Sequence, residues 1–317
     1  MEKYVVILSG AAADEKYARR FRDESLRLFD VLVTHYGYRS DHITLLAGHG
    51  DPTESKISGP CRQETITASL DNLKTVVQPG DQILFFLIGH GTSNEGGAKF
   101  NIVGPDMTGK AFSQMLNAFS DQDIIVVNTT SASHPFCTEL SAPGRVIISA
   151  TRSYAEKYDT VFAGFFTEAL ENHNADRDKN TRVSMWEAFQ YTKQTVEKWY
   201  TEQNRLPSEH SALDDNGDAL LNTHPDPLEN DGRLAQIAYL DVFTKDASVV
   251  AVKGSVSPAV HELIQKLHQL ERSVFLLRNR KRELPSEDYK QLMETLLINL
   301  AKTNRDLKIL RSMPQER

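Results

Sequence analysis

The segment Asp176-Arg177-Asp178-Lys179-Asn180-Thr181-Arg182-Val183-Ser184-Met185-Trp186-Glu187 carries oxygen donors at the spacing of a twelve-residue calcium loop. Asp176, Asp178 and Asn180 take the first, third and fifth positions, the Arg182 carbonyl the seventh, Ser184 the ninth and Glu187 the bidentate twelfth. Donors at alternating positions can all turn inward onto one hard cation. Thr181 stands at the sixth position, where glycine normally makes the left-handed turn, and a β-branched residue there costs roughly 1–2 kcal/mol, so the expected calcium affinity is weak. The same residues have a metal-free reading, because Ser184 followed three residues later by Glu187 is a capping box at a helix start. Asp214-x-Asn216-x-Asp218 repeats the alternating start, but Pro225 falls where the closing glutamate belongs; it reads as a solvated acidic loop, or one lending a ligand to the first site.

A second group of reactive side chains lies at the ends of two apolar runs. Ile83-Leu84-Phe85-Phe86-Leu87-Ile88 leads into Gly89-His90-Gly91-Thr92, and Ile124-Ile125-Val126-Val127 leads into Asn128-Thr129-Thr130-Ser131-Ala132-Ser133-His134. These runs, with Val5 to Leu8, Ile43 to Leu46 and Val146 to Ile148, are near-continuous in Ile, Val, Leu and Phe, as strands buried on both faces must be. Helical stretches alternate with them: about Lys16 to His35, Glu64 to Val77, Thr108 to Ala118, Thr160 to Asn172 and Ser184 to Asn204. The alternation predicts a parallel sheet covered by helices, whose ligands and catalytic groups gather at the carboxyl ends of the strands. That rule selects the loops at Ser9-Gly10, Gly89-His90-Gly91 and Asn128 to His134. A histidine between glycines can also serve only to cap neighbouring backbone, and His134 reads as a partly exposed loop residue.

The two strand-end motifs together resemble the caspase/legumain superfamily of cysteine peptidases, in which one strand ends in His-Gly and its neighbour in Ala-Cys-x-Ser-Gly. The resemblance extends through the Gly37-Tyr38 turn and Gly144-Arg145-Val146-Ile147-Ile148-Ser149-Ala150-Thr151, covers about residues 4 to 205, and is closest to bacterial legumain-like sequences. It implies a caspase-like three-layer α/β domain, with His90 as general base and Gly91 beside it at the oxyanion position. It also aligns Ser131 with the nucleophilic cysteine, or Thr130 if the motif slides by one. Neither is a thiol, and the motif's glycine is replaced by His134. A hydroxyl is a far poorer nucleophile than a thiolate and needs a base oriented for it. Cys137, six residues past Ser131, reads as a packing cysteine, and Cys61, in Gly59-Pro60-Cys61, as an ordinary loop thiol.

Beyond Leu206 the composition shifts to Asp, Asn, Pro and Gly, which predicts an acidic loop or linker over 206–256 after an α/β domain over 1–205. A helical hairpin over 257–317 follows. Leu263, Leu267, Leu270, Val274 and Leu277 alternate spacings of four and three; Tyr289, Met293, Leu296, Leu300, Thr303, Leu307 and Leu310 do the same past Pro285, with Ser286 as the N-cap. The basic residues Arg278 to Arg282 read as its solvated tip.

Thirty-six Lys and Arg against 43 Asp and Glu give a net charge of −7, which disfavours a general nucleic-acid or anionic-membrane binder. With 2 cysteines there is no disulfide scaffold and no structural zinc site. No apolar run approaches the ~20 residues of a membrane span. The opening residues run straight into Tyr4 to Leu8 with no secretory leader, as would also be the case for the mature part of an exported protein. Ser9-Gly10-Ala11-Ala12 lacks the spacing of a dinucleotide fingerprint and the lysine of a P-loop. Two functions stay open: a non-proteolytic relative of the peptidases that binds a protein or peptide, in part through the hairpin, and a hydrolase using Ser131 or Thr130 with His90.

Overall fold

A computed structural model describes residues 2–94, 97–171, 173–180, 182–242, 258–281 and 284–312. The chain divides into two compact units, residues 1–242 and 243–317. In the first, in chain order, are β1 (Lys3–Ser9), α1 (Glu15–Tyr36), β2 (Ile43–Ala47), α2 (Gln63–Val76), β3 (Gln82–Ile88), β4 (Gly91–Asn94), β5 (Gly97–Phe100) and β6 (Met107–Thr108). They are followed by α3 (Gly109–Leu116), β7 (Asp123–Asn128), α4 (Ser133–Thr138), β8 (Arg145–Ser149), α5 (Phe162–Glu171), α6 (Met185–Glu202) and β9 (Ala212–Asp214).

Six strands form one sheet in the order β2-β1-β3-β7-β8-β9, parallel throughout except for β9. Strand side chains alternate between faces, so each strand feeds two cores. Ile7, Leu84, Phe86, Val127 and Ile148 pack with Phe21 and Leu28 of α1, Phe166 of α5 and Phe189 of α6. Leu8, Phe85, Leu87, Val126 and Ile147 pack with Ile66 of α2, Phe112 of α3 and Phe136 of α4. This is the three-layer α/β architecture that the sequence implies. Asp14 caps α1 by accepting from the Lys16 amide, and Gly37, at φ +75°, ends it and turns the chain into the buried Tyr38.

The expected linker is not one as far as Val242. Ala212–Asp214 adds β9 antiparallel to β8, and two of the acids expected to be solvated are buried, Asp214 at 1% exposed and Asp215 at 7%, while Asp218 is exposed as expected. Asp214 accepts from the Gly217 and Ala219 amides, and Asp215 from those of Gly232 and Ala235 at 2.8 Å each. Carboxylates with both oxygens on amide donors hold a buried loop together, so this acidic stretch belongs to the α/β unit, whose boundary moves from 205 to 242. The rest of the expected linker, 243–256, lies outside the described residues.

The second unit contains α7 (Pro258–Asn279) and α8 (Ser286–Ser312), which pack on each other as the expected hairpin. Leu277, Thr303 and Leu307 are buried; Leu263, Leu267, Leu270, Val274, Met293, Leu296 and Leu300 are half-buried. Ser286 is the first helical residue rather than the cap outside it, with the Pro285 carbonyl accepting from the Tyr289 amide. At the turn Arg278, Arg280 and Lys281 are exposed; Arg282 lies outside the described residues. No helix among the described residues is long and apolar enough to cross a membrane.

Candidate functional site

Register in the sheet brings the two reactive loops to one edge. Ser9 pairs with Ile88, Leu87 with Asn128 and Asn128 with Ser149, so the loops after β1, β3, β7 and β8 leave side by side. The β3 and β7 loops touch at Gly91. A Cβ on Gly91 would lie 2.2 Å from the Ser131 carbonyl oxygen and 2.8 Å from Thr130 Oγ1, so only glycine permits the approach. Ser131 Oγ donates to the Gly91 carbonyl at 3.1 Å and accepts from the Gly91 amide at 3.1 Å. The amide at the expected oxyanion position is thereby occupied.

His90 faces α1. Its ring is held edge-on by Tyr17 and Phe21, each with its centroid 4.9 Å away, and its side chain makes no hydrogen bond among the described residues. Burial lowers its pKa, with Asp159 opposing and the Arg20 guanidinium reinforcing, which favours the neutral ring. Arg20 lies over the Tyr17 and Phe21 rings and forks onto Asp159 at 2.6 Å to each oxygen. Glu24, one turn along α1, is pushed up to about 7 by burial, with Arg20 opposing and Asp159 reinforcing. Sequence reading missed this surround. Tyr17 and Phe21 were legible as an i, i+4 pair on α1, but Arg20 and Asp159 are 139 residues apart and carry no local signal.

In the β7 loop every hydroxyl has a structural partner. Thr129 donates to the Leu87 carbonyl, and Thr130 to Asn128 Oδ1 at 2.8 Å. Ser133 joins Ser149 and Thr151 in a buried hydroxyl cluster. Ala132 adopts φ +51°, a left-handed conformation costly for a residue with a Cβ, and its amide donates to the Glu156 carbonyl. The Glu156 carboxylate in turn holds His210 Nδ1 at 2.6 Å and accepts from the Arg152 and His210 amides. His134 is half-buried, which lowers its pKa against the pull of Glu156.

Neither cysteine is accessible for chemistry. Cys137 is fully buried, and so is Cys61, which is a core residue rather than the loop thiol expected; both are free, and burial pushes both thiols far up. Cys61 packs in the same core layer as Cys137.

At the calcium-loop segment, carboxylate oxygens of Asp176, Asp178 and Glu187 lie within 4.8 Å of one another. The Asn180 amide donates to Asp176 and Asp178, and Asn180 Oδ1 accepts from the Arg182 amide. The Arg182 side chain pairs with Asp241 and covers the Tyr239 ring at 3.5 Å. The capping box is formed in full, with Glu187 Oε2 accepting from the Ser184 amide and hydroxyl, and Glu187 Oε1 from the Arg177 amide. Thr181, where strain was expected, lies outside the described residues; Lys179, two positions earlier, has φ +58°.

No family model matches the chain, and no curated protein does. Among solved structures, the protein GSU0716 from Geobacter sulfurreducens is similar at a TM-score of 0.44 and 10% identity, over 73% of this chain and 97% of that one. A secreted C11 cysteine protease from Bacteroides thetaiotaomicron, solved with an irreversible peptide inhibitor, is similar at a TM-score of 0.40 and 10% identity, over 69% of this chain and 67% of that one. Such scores do not assign the chain to a family.

Proposed function

We propose that the chain is a caspase/legumain-like protein that no longer cleaves peptides and acts as a binding or scaffold module for a protein or peptide partner. The observation that carries this reading is the state of Ser131. Ser131 is 4% exposed and its hydroxyl engages the Gly91 backbone in both directions, so its proton points at a carbonyl rather than at a base. A serine nucleophile needs that proton directed at an imidazole and a free amide ready for the oxyanion. Here the imidazole is clasped by Tyr17 and Phe21, and the Gly91 amide is already engaged. The relationship to the peptidases is supported by the sheet order, with β3 next to β7, and by the His90-Gly91 motif at the end of β3.

The test is a broad fluorogenic peptide screen with the full chain, combined with labelling by a serine-reactive phosphonate. The expected result is no turnover and no adduct. Labelling of Ser131 that disappears in His90→Ala would establish the alternative, an active hydrolase using Ser131, or Thr130, with His90 as base. One feature favours that alternative: burial lowers the pKa of His90 and so favours the neutral imidazole that a base requires. The calcium loop enters the proposal as a weak site, supported by the convergence of three carboxylates.

A further inference from the structure

A two-helix hairpin has no inside of its own, so each helix keeps an apolar face that its partner helix cannot cover. On α8 that face is exposed: Leu297 is 47% accessible and Ile298 45%. Beside them runs a hollow of about 460 Å³, lined by Tyr289, Lys290, Met293, Glu294, Leu297 and Ile298. The occupant is indicated by the charge along the helix. Residues 286–299 carry Glu287, Asp288 and Glu294 against Lys290, whereas residues 300–312 carry Lys302, Arg305, Lys308 and Arg311 against Asp306. One half of α8 is acidic and the other basic, so a second α8 laid antiparallel sets the acidic half of each copy against the basic half of the other.

The spacing on the exposed face has the same symmetry. At 100° per residue Glu294, Ile298, Ala301 and Arg305 line one stripe, separated by four, three and four positions. That pattern reads the same in both directions about the point between Asn299 and Leu300. Two antiparallel copies crossing there set Ile298 against the small Ala301 and Glu294 against Arg305, twice over, as a twofold axis requires. All four residues are exposed. Glu294 has no ion-pair partner among the described residues, and Arg305 has only a surface contact of 3.6 Å with Asp306, worth little in water.

We infer that the hairpin is a self-association element: two copies of this chain pair through an antiparallel α8–α8 contact centred on Ile298 and Ala301. A contact limited to one helix from each copy lies at the small, transient end of protein interfaces. Sedimentation equilibrium of the full chain tests it. Wild type should be a dimer at about 50 µM and dissociate as salt is raised. Glu294→Arg and Arg305→Glu, each a surface change that leaves the hairpin seam intact, should weaken the dimer at least ~10-fold, because each places like charges at both symmetry-related contacts. The double variant Glu294→Arg/Arg305→Glu should dimerise again, and an equimolar mixture of the two single variants should form a heterodimer. A monomeric wild type would overturn the inference and leave the face to a different partner. A dimer indifferent to both reversals, or one the double variant does not restore, would overturn the antiparallel geometry.

Discussion

Ala132 stands where backbone geometry and side-chain chemistry disagree. Its φ of +51° places a Cβ in the left-handed region at the turn between Ser131 and the short helix that follows, and the hydrogen bond from its amide to the Glu156 carbonyl holds it there. Such strain costs an alanine roughly 1–2 kcal/mol, part of which glycine returns as backbone entropy. Ala132→Gly should therefore raise stability by about 0.5–1 kcal/mol, read as a shift in the urea midpoint at unchanged slope. A lower midpoint would mean that the alanine methyl, 2% exposed, contributes more by packing than the turn costs. At this scale the sequence was readable where a residue's type is forced by its own backbone. Gly91 has to be glycine because Ser131 and Thr130 come within contact of its Cα, and His90 was visible because two glycines isolate it. What surrounds His90 was not readable, since the Arg20–Asp159 pair joins distant parts of the chain through the fold alone.

At the scale of elements, Glu209 ties α5 to α6. One carboxylate oxygen accepts from the Val161 amide at 2.8 Å and the Tyr200 hydroxyl at 3.0 Å; the other is buried without a hydrogen-bond partner among the described residues. Burial pushes this carboxyl up to about 7, with the amide and hydroxyl bonds opposing. Its folded value thus exceeds the unfolded value of about 4.3, and the stability it contributes is complete below that pH and lost as pH rises through about 7. The loss is at most about 4 kcal/mol. Glu209→Gln should flatten the decline in unfolding free energy between pH 5 and pH 8; a variant with the wild-type slope would move the responsibility to Glu24, which has the same sign. The segment from Asp176 to Glu187 offers a second test. Calcium there must compete with amide donors already on both Glu187 oxygens, so calorimetry should find weak, millimolar binding that Glu187→Gln abolishes. No heat from wild type would leave the capping box as the segment's whole role. The five buried strands and their helices were legible because continuous apolar runs and helical periodicity are properties of the residues themselves. The strands β4 to β6 were not, being two to four residues long and without a continuous apolar run.

At the scale of the whole molecule, composition misplaced a boundary that packing defines. The Asp-, Asn- and Pro-rich stretch after Leu206 has the residue content of a linker, yet Asp214 and Asp215 point inward and saturate amide donors, which composition alone cannot distinguish from a solvated acidic loop. The stretch also supplies β9, which covers the outer edge of β8, and Glu209, which satisfies the Val161 amide. A chain cut at 205 would expose the β8 edge and strand these groups, and an open hydrophobic edge is a template for aggregation. A chain cut at 242 keeps all of them and loses only the hairpin unit. The two truncations should consequently behave in opposite ways: residues 1–242 should give a single cooperative thermal transition and a monomeric elution volume, whereas residues 1–205 should aggregate or unfold without a transition. Cooperative folding of 1–205 would return 206–242 to the status of a linker. Failure of 1–242 to fold would mean that the hairpin completes the core of the α/β unit, and its exposed face would then have to be found within the same chain rather than between two copies.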